Sequence, residues 1–358
     1  MRFRFLGSPA VLAVALAIVG CPSRESVGAR SIAILGAGVV NNPGNKSLRF
    51  DILKFGLDNF CQEMLKGGAP LKLADDQPVI GRFFADSCQS QVLDDEARKS
   101  FIVQFTGKGY AWTNLSGRIG FSSRGLVEYA PDFQLHDGAM YVYFRPRMID
   151  ATAFQLMLLE SSVARAGAAV SGINPEELGK KIVDGQLRRG FTVIRYGSEG
   201  ETDFGMGLIA KGEKPFKPFQ IESSDKRVLT NDRTEVHAGQ QDFIGALEVE
   251  GDDQALYLTL SLDGAEAVDV LLVPKAQGDP MLSGYIGQPG GAALGTPALL
   301  DEPLAGGQLW KRYVNVPEGR YYVILDNTNQ AGRSAPPATP LDDRAAKVDY
   351  LVMVGEKP

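Results

Sequence analysis

The chain has 358 residues, with 37 Lys and Arg against 43 Asp and Glu, a formal net charge of −6, 44% hydrophobic residues, 41 glycines and 20 prolines. The acidic balance argues against nucleic acid as an electrostatic partner and against broad adhesion to anionic lipid heads. The hydrophobic share is that of a globular protein with a sizeable core, and the many glycines and prolines favour turns and strands over helix bundles.

At the start of the chain, Arg2 and Arg4 precede an apolar run from Ala10 to Val19, and Gly20 leads into Cys21. A basic start, a short apolar core and a small residue at the cleavage point make a secretory signal. The run is too short for a spanning helix, which needs about 20 apolar residues. Ile18-Val19-Gly20-Cys21 resembles the lipobox of bacterial lipoproteins. That resemblance implies diacylglycerol on the Cys21 sulfur, cleavage after Gly20 and N-acylation of Cys21; an ordinary secretory signal with a chance cysteine is the alternative. Two acyl chains anchor a protein stably where one binds reversibly. Pro22, not an aspartate, follows the cysteine, which is similar to lipoproteins sorted to the outer membrane.

Residues 1–20 carry two arginines and no acid, so the remaining 338 residues hold 35 basic against 43 acidic side chains. That length suits two domains. Residues 21–30 form a lipidated tether, and Pro22 to Arg30 reaches at most about 30 Å when extended. With Cys21 lipidated, Cys61 and Cys88 remain, and an even pair in an oxidising compartment predicts a disulfide, with two buried thiols as the alternative.

An α+β domain is expected over 31–210. Ser31 to Leu35 reads as a first strand, and Gly36-Ala37-Gly38 as a plain turn, since no third glycine completes a dinucleotide loop. From Ser47 to Lys66, Phe50, Leu53, Leu57, Phe60, Cys61 and Met64 recur at helical spacing, and Gly67-Gly68 stops the helix. Phe55 widens its apolar arc, so this long helix is expected to pack on a curved antiparallel sheet, with either a fully packed core or an apolar groove between them. The period then changes to two. Strands are predicted at Val79–Ala85, Phe101–Thr106, Tyr110–Thr113, Gly117–Ser122, Gly125–Gln134 and Ala139–Arg145, with His136-Asp137-Gly138 as a hairpin turn. Thr152 to Leu159 is a further apolar run. Asn174-Pro175-Glu176-Glu177 opens a helix to about Leu187, with proline at its first position and acids in its first turn. Phe191–Tyr196 and Phe204–Ile209 close the domain.

Residues 211–242 shift to proline, lysine and charge and read as a linker leading into the second domain. Over 243–358, strands are predicted at Ile244–Val249, Ala255–Leu262, Val268–Val273, Leu309–Val316, Arg320–Asp326 and Lys347–Val354, an all-β sandwich. Its glycine- and proline-rich segments 278–303 and 330–341 read as loops. In element order the first domain is similar to tubular lipid-binding domains, and the second to small β-sandwiches appended to secreted bacterial proteins.

Catalytic signals are sparse. His136 and His237 sit in polar, turn-like surroundings and read as exposed loop residues, so neither a zinc site nor a serine hydrolase is supported. The pairs Asp75-Asp76, Asp252-Asp253 and Asp342-Asp343 and the run Asp94-Asp95-Glu96 read as solvated surface; a glycan hydrolase would need two of these acids to converge. Asp326-Asn327-Thr328-Asn329 offers hard oxygens to calcium but fits a turn better. Tyr110, Trp112, Tyr129, Tyr141 and Tyr143, and in the sandwich Trp310, Tyr313, Tyr321 and Tyr322, read as cross-strand packing before a ligand face. The expectation is a non-enzymatic, lipid-anchored envelope protein without metal or cofactor, binding an apolar ligand or an envelope protein or glycan. A structural lipoprotein whose sandwich docks glycan or protein, and an acid-dependent glycan hydrolase, are the alternatives.

Overall fold

The computed structural model describes residues 67–94, 99–113, 117–161, 175–196, 202–221, 225–334 and 345–358, with Asn42, Gly44, Cys61, Met64 and Leu65. In chain order the strands begin with β1 (Ala69–Lys72), β2 (Val79–Asp94), β3 (Lys99–Thr113), β4 (Gly117–His136) and β5 (Ala139–Leu159). Helix α1 (Pro175–Arg189), β6 (Phe191–Tyr196) and β7 (Thr202–Met206) complete the N-terminal part. The C-terminal part holds β8 (Arg227–Val236), β9 (Gln240–Val249), β10 (Gln254–Asp263), β11 (Ala267–Pro274) and α2 (Lys275–Gly287). It ends with β12 (Leu300–Ala305), β13 (Leu309–Asn315), β14 (Gly319–Asn327) and β15 (Ala346–Glu356).

The expected α+β domain followed by an all-β sandwich is corrected. Among the described residues the protein is mostly strand, built on one large mixed sheet, and no long helix packs on a sheet. Of the predicted helix at 47–66, only Cys61, Met64 and Leu65 are described; they are helical, and Cys61 and Met64 lean on the sheet's apolar face. The rest of that helix, with Phe50, Phe55, Leu57 and Phe60, lies outside the described residues, as do Cys21 and the tether.

The meander β2-β3-β4-β5-β6-β7 has fewer and longer strands than predicted, because glycines that read as turns lie inside strands. A Cβ on Gly107 would stand 2.3 Å from the Phe84 carbonyl oxygen, and one on Gly125 would stand 2.7 Å from the Phe105 ring. These positions admit only a hydrogen, so the chain stays extended through them. The turn at Asp137-Gly138 has positive φ at both residues (48° and 78°), the two-residue hairpin geometry that Asp-Gly suits. One face of the meander buries Phe101, Val103, Phe121, Phe133 and Phe144, closed by Val183 and Leu187 of α1. Arg188 and Arg189 lie in the last turn of α1, where the helix dipole favours cations.

The C-terminal half stacks β13-β10-β15-β8 on β12-β11-β14-β9. Between them lies a dry layer that includes Leu256, Leu258, Val270, Leu272, Val323 and Val352. Each such side chain contributes about 1.5–3 kcal/mol on burial. Strands β11 and β14 are buried on both faces, since α2 and the meander cover the outer side through Met281, Leu282, Tyr285, Ile286 and Tyr110. Helix α2 and β12 occupy the segment read as a loop. Gly278 and Pro280 disguise the helix, and Gly278 is needed because a Cβ would meet the Tyr322 ring at 2.3 Å. Strand β8 lies within 211–242 and joins the sandwich to the meander through one parallel bridge, Val79 to Thr234. Upstream of β8 the chain is strapped down: the Phe216 amide donates to Asp75, Lys217 pairs with Asp203, and the Asn231 side chain grips both backbone groups of Phe219.

Candidate functional site

The polar centre of the molecule lies where meander and sandwich meet. Inward alternation on β2 sends Arg82 toward β9, where its Nε and Nη2 donate to the two carboxylate oxygens of Asp242 at 2.7 Å each. Tyr110 of β3 donates its hydroxyl to Asp242 at 2.7 Å and accepts the Phe243 amide at 2.8 Å. Tyr350 of β15 lies 3.1 Å from Arg82. Burial pushes the Asp242 carboxyl up, but the facing guanidinium and the hydrogen bonds from Arg82 and Tyr110 more than offset this and hold it below the usual carboxylate range. Burial also drives the Tyr110 and Tyr350 hydroxyls above their ordinary range, so both remain protonated, Tyr110 donating to Asp242 and Tyr350 accepting from Arg82.

Two further groups flank this centre. Arg118 lies 3.9 Å over the Tyr285 ring and donates to Glu160 and to the Gln288 and Gly290 carbonyls, tying β4 to the end of α2. Lys72 pairs with Asp232 at 2.8 Å; burial nonetheless raises the Asp232 carboxyl above its usual range. The cavity among these groups is only about 10 Å³, lined by Tyr110, Trp112, Arg118, Glu235, Asp242 and Tyr285. It admits at most a single water. Asp242 is held by Arg82, while Arg118 Nε and Nη1 find no hydrogen-bond partner among the described residues; at this size the cavity leaves no room for a substrate.

His237 is not the exposed loop residue expected. It is 5% exposed, its ring stacks on Trp112, and its Nε2 lies 2.7 Å from Glu235 Oε1, a hydrogen bond that lowers the Glu235 carboxyl. His136 lies at the β4–β5 turn beside Asp137. The aromatic residues expected as one group are separated: Tyr129 enters the meander core, Tyr141 and Tyr143 pack on the opposite face with Ile194, and Trp310 lies inside the sandwich. Tyr313 is 56% exposed.

Among the described residues the acid pairs do not converge: Asp75 caps the Phe216 amide and Asp252 accepts the Glu318 amide, while Asp95, Glu96, Asp342 and Asp343 lie outside the described residues. Asp326, by contrast, is fully buried and stands opposite Asp269 across the β11–β14 ladder. Burial raises its carboxyl to about 6; the Thr328 hydroxyl at 2.7 Å opposes the shift and the neighbouring Asp269 adds to it. Asp269 in turn accepts the Arg333 amide, the Ser334 amide and the Ser334 hydroxyl, clasping the loop after β14. Among the described residues, no three His, Cys, Asp or Glu side chains are grouped to hold a metal ion.

Cys61 and Cys88 are joined as a disulfide with Cα atoms 5.2 Å apart, tying the helical residue to β2. The site residues missed from sequence include Arg82 and Asp242 at the centre, with Tyr350, and Arg118, Tyr285, Lys72 and Asp232 beside it. A charged residue at an inward position of the apolar strand Val79–Ala85 was the available signal; its partner, 160 residues on, had none.

No known protein family matches the chain, and no curated protein sequence matches it. Among solved structures, a Bombyx mori GH32 beta-fructofuranosidase aligns with 77% of this chain and 80% of that one at 10% identity, with a TM-score of 0.13. A likeness of that size carries no argument about fold or activity.

Proposed function

We propose that this chain is a non-enzymatic lipoprotein of the bacterial cell envelope, anchored through acylated Cys21 in the outer membrane, whose folded body engages an envelope partner. The observation that carries the reading is the run Leu16 to Cys21, an apolar core ending in apolar, small and cysteine positions. Acylated on its sulfur and amino group, Cys21 would hold the body within a tether's length of the bilayer. Among the described residues no helix is long and apolar enough to cross a membrane.

An external partner is favoured over an internal apolar ligand by the geometry of the interior. Among the described residues the central cavity is water-sized and polar, and on the apolar face of the meander Phe83 stacks on Phe121 and Phe121 on Phe154. Hydrolysis is disfavoured because, among the described buried acids, Asp242 is paired with Arg82, Glu128 faces Arg147, Asp269 clasps the loop after β14 and Asp326 accepts the Thr328 hydroxyl. Fractionation of cells expressing the wild type and Cys21→Ser tests the anchor. The wild type should sediment with outer membranes and the variant should lose that association; recovery of wild type in the soluble fraction would overturn the reading.

A further inference from the structure

The sheet β13-β10-β15-β8 has one face in the sandwich core and one face outward. Trp310 and Leu256, Leu258 and Leu260 point inward, so alternation turns Leu309, Lys311 and Tyr313 of β13 and Tyr257 and Thr259 of β10 outward. Tyr257 and Tyr313 are direct cross-strand partners, with ring centroids 6.2 Å apart and planes tilted by 38°. Lys311 stands opposite Thr259 one step along the same face. Lys226 reaches over the end of β15 to place its Nζ 4.7 Å above the Tyr257 ring, with Asp225 at 3.7 Å as its neighbour.

The other half of this face is already covered. Phe216 lies 5.1 Å from the Arg233 guanidinium, Phe219 is gripped by Asn231, and Leu351 beneath them is buried. The strap ends there, leaving a strip along β10 and β13 on which Leu309 and Tyr313 are exposed. Within that strip the outward positions of β13 and those of β10 from Ala255 to Ser261 include no carboxylate, in a protein that is acidic overall. Among the described residues Lys311 makes no ion pair. The edge itself disfavours a second copy of the chain, because antiparallel self-pairing of β13 centred between Lys311 and Arg312 would set Lys311 against Arg312 of the other copy.

We propose that this strip binds an acidic, uronate-bearing polysaccharide, with Tyr313 as the stacking ring, Tyr257 as its brace and Lys311 and Lys226 as the carboxylate-recognising cations. An exposed phenol ring suits the C–H face of a pyranose, whose positively polarised hydrogens meet the negative face of the ring. An extended chain laid along the strip would bring its carboxylates to the two lysines, where opposite charge steers association and fixes orientation. A neutral glycan would use the ring alone. A protein strand would need the β13 edge, which its two cations protect. The proposal rests on the envelope-partner reading but is independent of Cys21, so loss of anchoring and loss of glycan binding are separate outcomes.

The test is affinity electrophoresis of the detergent-solubilised full chain in native gels containing polygalacturonate or neutral dextran. Polygalacturonate should retard the wild type and dextran should not, and the retardation should weaken with added salt. Tyr313→Ala and Lys311→Glu should each weaken apparent affinity at least tenfold while thermal melting stays unchanged, since both side chains are exposed. Arg320→Glu, on the other sheet, should bind as wild type. No retardation by polygalacturonate, equal retardation by dextran, or wild-type binding by the Tyr313 and Lys311 variants would each overturn the proposal.

Discussion

On one face of the β9–β14 pair, Asp242 meets Arg82, Tyr110 and, through Arg82, Tyr350. On the other face, one step along the ladder, Asp326 stands opposite Gln241 and beside Asp269. Both aspartates are removed from water, and burial alone would raise both carboxyls. What separates them is the charge they face. A guanidinium with two aligned hydrogen bonds brings Asp242 below its usual range, whereas Asp326, with a hydroxyl and a second acid for neighbours, is raised to about 6. At these two aspartates the facing groups set the direction of the shift, whereas at Asp232 burial prevails over the Lys72 partner.

The sharpest way to break that contrast is to remove the partner at the seam. Arg82→Met leaves Asp242 buried and uncompensated and should cost about 3–5 kcal/mol by chemical denaturation. The double variant Arg82→Met/Asp242→Leu should recover much of that loss, because no unpaired charge remains. A double variant as unstable as the single one would show that packing, not charge compensation, dominates the seam. Reduction of Cys61–Cys88 comes next. The bond spans a sequence separation of 27, and opening a loop of that size costs about 3–4 kcal/mol in the chain-entropy model. Denatured, non-reduced protein should resist alkylation at both cysteines; complete labelling would contradict the bond.

The subtlest effect is in pH. A folded carboxyl raised above its unfolded value of about 3.9 contributes stability that is present below that value and lost as pH rises through about 6. Asp326 should thus make stability fall by up to about 3 kcal/mol between pH 4 and 6, at about 1.4 kcal/mol per unit. Asp242, with its lowered carboxyl, acts in the opposite sense: its contribution is present above about 3.9 and is lost as pH falls through the folded value. Asp326→Asn should flatten the profile between pH 4 and 6 and leave the acid limb in place. An unchanged slope in that variant would assign the effect to another group.

How far the chain could be read without coordinates varied with the same physics. Val268–Val273 and Tyr321–Asp326 are legible because residues buried on both faces make continuous apolar runs. Strand β8 was hidden, since Asp232 and Arg233 find partners in Lys72 and Asp349, which lie far away in sequence. Helix α2 was hidden by Gly278 and Pro280, although Met281, Leu282, Tyr285 and Ile286 keep helical spacing. In the meander, Gly107 and Gly125 read as punctuation because a sequence does not show whether a glycine supplies a turn or makes room for a neighbour. His237 read as a loop residue because the ring that covers it, Trp112, comes from another strand. The compact Arg82–Asp242 pair needed two elements 160 residues apart, and local pattern carries no such information.

The claim on which the functional account depends is the chemistry at Cys21. Tandem mass spectrometry of the N-terminal peptide of the protein purified from its own membrane measures it directly. The account predicts a peptide beginning at Cys21, carrying a thioether-linked diacylglycerol and an acylated amino group. A mature N-terminus elsewhere, or an unmodified Cys21, would contradict it.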